Sequence, residues 1–300
     1  MGNSENDQLI SDWVQQDWRR SIFAPGVFIL QALTRSGRTA SGLGFDRRDA
    51  LERCVSETAE ILSIAELRNA NDTKGSSKIA FNPMFGLSAH PNANSARRLA
   101  IYEAHERDAV SKWWYGAVAA QRLPADWKIA NGVHRVLLRT RTLASVKRET
   151  EFWRLDQPDP VHTVICMSRY ATGQDPILGF GASVILAEAA KKALRENVLM
   201  ELNLMEVLAV RGGHSSMDMS RVETKIAEYA VRCPSLLPDI ETPPAILRDF
   251  DPINLDSANP SLSLRDLHDI SPGWLKRTVW QCNLTDRESV HSKGPASPFM

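Results

Sequence analysis

Three stretches of this chain open on glycine and run into a helix-forming segment that carries alanine and then glutamate at A-x6-E spacing. They are GLGFDRRDALERCVSETAEI from residue 42, GLSAHPNANSARRLAIYEAHERDA from residue 86 and GFGASVILAEAAKKALRENVLM from residue 179. The pairs are Ala50 and Glu57, Ala96 and Glu103, and Ala189 and Glu196. At about 100° per residue, that spacing returns each glutamate to within about 20° of its alanine. A small residue, Cys54, Ala100 or Ala193, flanks each glutamate on the same face. Small residues on a helix face let another backbone approach closely. The three glutamates are therefore predicted to lie on packing surface, where a carboxylate is costly unless it is paired or bound to a cation.

Glu60 and Glu106 add a second carboxylate three residues after Glu57 and Glu103, whereas Leu199 stands at that place after Glu196. Clustered carboxylates cannot all stay ionised without cations. Mg²⁺ is the natural neutraliser, since it takes oxygen ligands and shares substrate phosphates. Arg53 and Lys192 lie four residues before their glutamates, and Arg107 lies four after Glu103. Two readings stand for these cations: clamps on phosphate oxygens, or ion pairs within their own helices. Other chemistries are excluded by pattern. Neither GLGFDR nor GFGASV has the third glycine of a dinucleotide fingerprint, and no G-x-x-x-x-G-K-[ST] occurs. The seven histidines form no H-E-x-x-H pairing, and RGGHSS is no nucleophile elbow.

Bulk composition bounds the partners. Lys plus Arg equals Asp plus Glu at 36 each, so no global field draws the chain to nucleic acid or to an anionic membrane. Hydrophobic content of 43% with 24% charge describes a folded globular chain of 300 residues. Cys54, Cys166, Cys233 and Cys282 are scattered without a C-x-x-C pair and are expected as reduced thiols. The start lacks an apolar export segment, and no stretch reaches the roughly 20 apolar residues of a membrane helix. A cytoplasmic protein is expected.

Periodicity predicts a short helix within residues 7–20, a strand over 26–35, and helices over 45–63 and 94–115 capped by Asp46 and Asn94. Strands are predicted over 131–143, 160–170 and 275–284, and helices over 183–208 and 218–232. Residues 234–263 collect six prolines and read as an irregular excursion, and residues 291–300 as an extended tail. The alternation of strands and helices predicts an α/β (α+β) fold, a single domain over residues 1–300 with mixed sheets covered by helices. Its core spans about residues 26–208, and three strand-loop-helix units recur within it.

These segments resemble the YcaO family. GLGFDRRDALERCVSETAEI is similar to the family's G-x-G…A…E-A-x-E-R segment, and GLSAHPNANSARRLAIYEAHERDAVSKWWYG to its G-L-A-A-G…L-E-x-I-E-R-D-A-x-x-x-W-W segment. PILGFGASVILAEAAKKALRE is similar to its G-F-G-A…A-x-x-x-A-L-x-E segment. The chain departs from the family pattern at Arg53, Ile61, Ala96 and Leu199. The resemblance implies an ATP-dependent enzyme that O-phosphorylates backbone amides of a ribosomally made precursor peptide, forming azolines from Cys, Ser or Thr by cyclodehydration. Thioamide formation with a sulfur-delivering partner and a catalytically silent scaffold are the alternatives. It also implies Mg²⁺ ligation by Glu57, Glu60, Glu103, Glu106 and Glu196, and ATP binding, for which Arg53, Ser88, Arg107, Lys192 and Arg277 are the candidates here. The tail ASPFM is similar to the proline-rich ends of the family's cyclodehydratases. This places the carboxylate of Met300, with Arg107, among the catalytic candidates. A separate leader-peptide-binding or E1-like protein is the expected partner, within a homo- or hetero-oligomer.

Overall fold

The computed structural model describes residues 4–74 (side chains to residue 67), 85–157, 160–251, 262–267, 271, 274–284 and 297–299. The chain runs α1 (Glu5–Ser11), β1 (Trp13–Arg19), β2 (Phe28–Thr34), β3 (Thr39–Gly44), α2 (Arg47–Lys74), β4 (Gly86–His90) and α3 (Ala93–Trp114). It continues with β5 (Ala120–Arg122), α4 (Ala125–Ala130), α5 (Val133–Arg141), β6 (Glu149–Leu155), β7 (His162–Arg169) and β8 (Ile177–Ser183). The last elements are α6 (Leu186–Arg211), α7 (Ser220–Leu236), a 3-10 turn at Pro244–Ile246, β9 (Leu262–Asp266) and β10 (Thr278–Leu284). Two compact units result. One comprises residues 1–20, 27–104 and 261–287, the other residues 21–26, 105–260 and 288–300.

The first unit holds two three-stranded sheets, β1-β2-β3 and β4-β10-β9. Leu30, Ala32 and Ala40 of the first sheet pack on Cys54 and Ile61 of α2. Another face of α2, through Val55 and Ala59, packs with Leu87 and Ala89 of β4 and Val279 of β10. α2 lies close on β3 because Gly42 has no side chain: a Cβ there would stand 1.9 Å from the Ala50 carbonyl oxygen. Gly86 meets the Ala100 carbonyl oxygen of α3 at the same distance. The small residues read from the sequence thus serve a backbone-to-backbone contact.

The second unit is built on a four-stranded sheet, β5-β6-β7-β8. One face carries Trp153, Leu155, Ile165, Met167, Leu178 and Phe180 against Trp113, Trp114 and Tyr229. α6 packs along β8 and β7. A buried charge cluster ties this unit together. Glu201 of α6 is fully buried and accepts from Arg141 of α5 through both oxygens, at 2.6 and 2.9 Å. Arg148, just before β6, lies 3.0 Å from the same carboxylate, and the Ser168 hydroxyl of β7 donates to it at 2.6 Å. Burial pulls the Arg148 pKa below its ordinary value, opposed by the Glu201 charge. Removing one member of such a cluster costs about 3–5 kcal/mol, because the remaining charges stay buried and uncompensated.

Several expectations hold. Asp46 caps α2, its carboxylate accepting from the Asp49 amide at 2.8 Å, and the strands foreseen over 26–35, 160–170 and 275–284 form β2, β7 and β10. No helix among the described residues is long and apolar enough to cross a membrane, and all four cysteines are buried and form no disulfide bond.

Other expectations are corrected. Residues 131–143 form α5 rather than a strand: Val133 and Thr140 are buried with Val136 and Leu137 half-buried, an i, i+3, i+4, i+7 stripe that the β-branched composition disguised. Only the first part of residues 7–20 is helical. From Trp13 the chain pairs with β2, because sheet pairing overrides the weak preferences of Gln, Asp and Arg. Asn92, not Asn94, caps α3, accepting from the Ser95 amide at 2.9 Å. Pro234 sits inside α7 rather than in the irregular stretch. Within all three sheets the strands pair antiparallel, so the mixture is of helix and sheet, not of strand direction.

The contact at Gly42 is testable. Gly42→Ala should cost about 3 kcal/mol, since the added methyl group meets carbonyl oxygen rather than a yielding side chain. Urea denaturation of wild type and variant checks this, and an unchanged midpoint would contradict the close approach.

Candidate functional site

A strand at the edge of a sheet leaves amides that need acceptors. β3, β4 and β8 are edge strands. On each, one amide donates to the glutamate that lies sixteen residues further along, on the following helix. The Ser41 amide donates to Glu57 Oε2 at 2.7 Å, the Leu87 amide to Glu103 Oε2 at 2.8 Å and the Phe180 amide to Glu196 Oε2 at 2.8 Å. Every one of the three glutamates singled out in the sequence therefore binds backbone through the same oxygen.

In the first unit, two carboxylates meet along one edge of β4. Glu60 of α2 accepts from the Ala89 amide at 2.8 Å, next to the Leu87–Glu103 bond on the same strand. Glu57 is close enough to feel the Glu103 charge. Burial of the Glu57 carboxyl pushes its pKa up to about 7; the Ser41 amide opposes this and Glu103 adds to it. Among the described residues no group of three His, Cys, Asp or Glu side chains is placed to hold a metal alone. The donor set nonetheless fits Mg²⁺ that shares phosphate oxygens. It offers hard carboxylates, and one of them is held against ionisation in the way a cation would relieve.

The other first-unit candidates divide by environment. Arg53 is exposed and pairs with Asp49 one turn back at 2.9 Å. Ser88 is buried on β4 opposite Trp280 of β10. Arg277 is buried; its amide donates to Glu5, and its guanidinium to Asn6 at 3.0 Å and Glu52 at 2.6 Å. These bonds tie the start of β10 to α1 and α2.

In the second unit, Glu106 and Arg107 are half-buried on α3. The Arg107 guanidinium lies 5.6 Å from the centre of the Phe299 ring. Phe299 in turn meets Phe180 edge to face at 5.4 Å, and Phe180 is the residue whose amide binds Glu196. Lys192 donates to the Ala182 carbonyl at 3.0 Å. Met300 lies outside the described residues, but the three residues before it are anchored. The Ser297 carbonyl accepts from Lys225 at 2.6 Å and the Pro298 carbonyl from Tyr229 at 2.5 Å.

Sequence reasoning missed Lys225 and Tyr229. Their spacing of one helical turn on α7 was visible, but nothing local indicated that they grip the tail. It also missed Glu201, whose only signal was a glutamate within the apolar run of α6.

Comparison with known proteins assigns the chain to a family. A family model described as YcaO cyclodehydratase, ATP- and Mg²⁺-binding, matches residues 67–271. The match takes in Ser88, Glu103, Glu106, Arg107, Lys192 and Glu196, and begins after Arg53, Glu57 and Glu60. Curated proteins give no match to the sequence. Among solved structures, the chain is similar to YcaO from Methanopyrus kandleri bound with AMPPCP and Mg²⁺, at 15% identity and a TM-score of 0.58, covering 93% of this chain and 86% of that one. It is similar to a heterocyclase in complex with substrate and cofactor at 13% identity and a TM-score of 0.63, covering 95% of this chain but 52% of that one. A chain of the E. coli Microcin synthetase McbBCD complex with pro-MccB17 bound is similar at 13% identity and a TM-score of 0.57, with 92% and 88% covered. At these identities the structural likeness is one of fold. The chain belongs to the YcaO family.

The raised Glu57 pKa sets a pH dependence. A carboxyl whose folded pKa exceeds its ordinary 4.5 contributes stability that is fully present below pH 4.5 and lost as pH rises through about 7. Glu57→Gln keeps an acceptor for the Ser41 amide and removes the titration. Its stability, measured by denaturation in the absence of divalent cations, should fall less than that of wild type between those pH values.

Proposed function

We propose that this chain is an ATP-dependent YcaO enzyme acting in the modification of a ribosomally made precursor peptide. In this reading it activates backbone amides by O-phosphorylation and closes azolines from Cys, Ser or Thr. The observation that carries the reading is the family match over residues 67–271, together with three glutamates that each bind an edge-strand amide sixteen residues before them. The three strand-loop-helix segments are read as one repeated unit, and residues 1–300 as one YcaO-like domain.

Glu57, Glu60, Glu103, Glu106 and Glu196 are the ligands assigned to Mg²⁺. Bound there, the metal would supply positive charge against the phosphoryl oxygens. One oxygen of each of Glu57, Glu103 and Glu196 is oriented by its backbone amide, which fixes the carboxylate plane before any ligand arrives. Arg53, Ser88, Arg107, Lys192 and Arg277 are the residues assigned to ATP, with Arg107 nearest the reacting groups. The Arg277 side chain also binds Asn6 and Glu52, and that of Arg53 binds Asp49. A substrate thiol or hydroxyl loses its proton and adds to the preceding carbonyl, and the resulting oxyanion takes the γ-phosphoryl group of ATP with ADP leaving. The former carbonyl oxygen departs as phosphate while the amide nitrogen loses its proton and the azoline double bond forms. The carboxylate of Met300 is assigned a role near the reacting amide; what supports it is the anchoring of the preceding residues, with Lys225 and Tyr229 holding the carbonyls of Ser297 and Pro298.

A separate leader-peptide-binding or E1-like protein is the proposed partner. What supports it is the fold shared with a chain of the Microcin synthetase complex, which binds pro-MccB17. A second reading, a YcaO-like scaffold without catalysis, is favoured by Ile61: it is buried against Leu30 and Ala32 where the family pattern has arginine. Calorimetry with ATP and Mg²⁺ separates the two, because a scaffold that has lost the site binds no nucleotide.

Two outcomes test the enzyme reading with partner and peptide present. Glu103→Gln should lower ATP turnover by about 100-fold or more while the protein stays folded, since a metal ligand is lost and the Leu87 amide keeps its acceptor. Removal of Phe299 and Met300 should lower kcat for loss of water from the peptide and leave the calorimetric ATP affinity within about twofold. Unchanged turnover in both would remove the site assignment.

A further inference from the structure

β1 forms the outer edge of the β1-β2-β3 sheet, and no strand among the described residues pairs with its far side. α2 packs mainly on β3 and β2 and reaches β1 through Thr58, which accepts from Trp13 at 2.9 Å, and Arg47, which lies over Trp18. All of residues 14–18 are exposed, with Val14 at 60% and Trp18 at 37%. Beyond the register shift between Trp13 and Gln15, residues 15–19 pair regularly with β2. This regular stretch has no proline and no lysine, and among the described residues no strand or helix lies along its outer edge; its charges, Asp17 and Arg19, are of opposite sign.

We propose that the β1 edge is the interface of a homodimer, in which β1 pairs antiparallel with β1 of a second copy about a two-fold axis at Trp18. Two three-stranded sheets then become one of six strands. Opposed residues in an antiparallel pair share a face, so a two-fold axis perpendicular to the sheet must pass through a residue that faces its own copy. Charge selects which one. An axis at Asp17 sets two carboxylates opposite each other, and an axis at Arg19 sets two guanidinium groups opposite each other. An axis at Gln16 carries the pairing into the irregular start of the strand. An axis at Trp18 sets Asp17 of each copy against Arg19 of the other, twice by symmetry, and Gln16 against Arg20.

The side chains are already arranged for this. Asp17 and Arg19 lie 3.6 Å apart within one chain, so two such pairs across the axis form an alternating array of four charges. Trp18 meets its own copy at the centre. It is backed by the Arg47 guanidinium, 5.2 Å from its ring and 5.9 Å from that of Phe28, which is itself 42% exposed. Side chains alternate along β1, so Trp18 with Arg47 and Phe28 lies on one face of the joined sheet and the Asp17–Arg19 array on the other, an apolar contact and a charge match on opposite sides of one edge.

Sedimentation of the full chain over a concentration series tests the proposal. Wild type should sediment as a dimer. Asp17→Arg and Arg19→Asp each place like charges opposite and should raise the dimer Kd by about tenfold or more. The double variant restores opposite charges and should return the wild-type Kd. Trp18→Glu reads the same edge independently and should be monomeric with an unchanged circular dichroism spectrum. A wild-type chain that is monomeric at every concentration overturns the proposal, whether or not another protein's strand binds there. So do single reversals that leave the dimer intact, or a double variant that fails to restore it.

Discussion

An edge-strand amide must find an acceptor, and in this chain it finds one in a glutamate brought round by the next helix. That bond recurs on β3, β4 and β8, and much else depends on it. For the carboxylate to reach the amide, the helix must lie nearly in backbone contact with the strand, which is why glycine is required at positions such as Gly42 and Gly86. The same closeness explains the small residues on the inner helix face. It also puts an anionic group where water is scarce, with the raised pKa of Glu57 as the consequence.

A structural role and a ligand-binding role are compatible in these glutamates. A carboxylate has two oxygens, and a backbone amide that holds one fixes the direction of the other. A site built in this way is organised before its ligand arrives, which is where electrostatic catalysis draws its advantage. The second unit has its own means of rigidity. Glu201 gathers Arg141, Arg148 and Ser168 from three different elements into one buried cluster. Two positive charges on one carboxylate are a poor source of net stability, but they are demanding in geometry. The tail shows the same logic on a smaller scale, with Lys225 and Tyr229, one turn apart on α7, gripping consecutive carbonyls.

Legibility in the sequence followed the range of the interaction involved. The Asp46 cap, the long α6 and the apolar strand β7 depend on neighbours within a few residues, and they could be read. α5 was mistaken for a strand because valine and threonine favour sheets on average, whereas its buried positions recur at helical spacing. β1 was mistaken for helix because its order comes from pairing with β2, a partner that no local pattern names. In the site, the glutamates were visible because they recur in one register. Arg53 and Arg277 looked alike as candidate cations, yet one forms an exposed ion pair with Asp49 and the other is buried among Glu5, Asn6 and Glu52.

The sequence by itself determined the family, the three glycine-led segments and the face on which Glu57, Glu103 and Glu196 lie. The family is carried by the resemblance of whole motifs, whereas the segments and the shared face follow from the 3.6-residue turn of a helix and the absence of a side chain on glycine, both of which act locally. Only the tertiary structure decided which backbone each carboxylate meets: the amides of Ser41, Leu87 and Phe180, each sixteen residues away. It alone decided that Glu201 is fully buried, that Phe299 lies between Phe180 and Arg107, and that β1 ends its sheet among the described residues. Those outcomes rest on pairings between distant segments. Their free energy comes from burial and backbone hydrogen bonds formed only when the whole chain is in place.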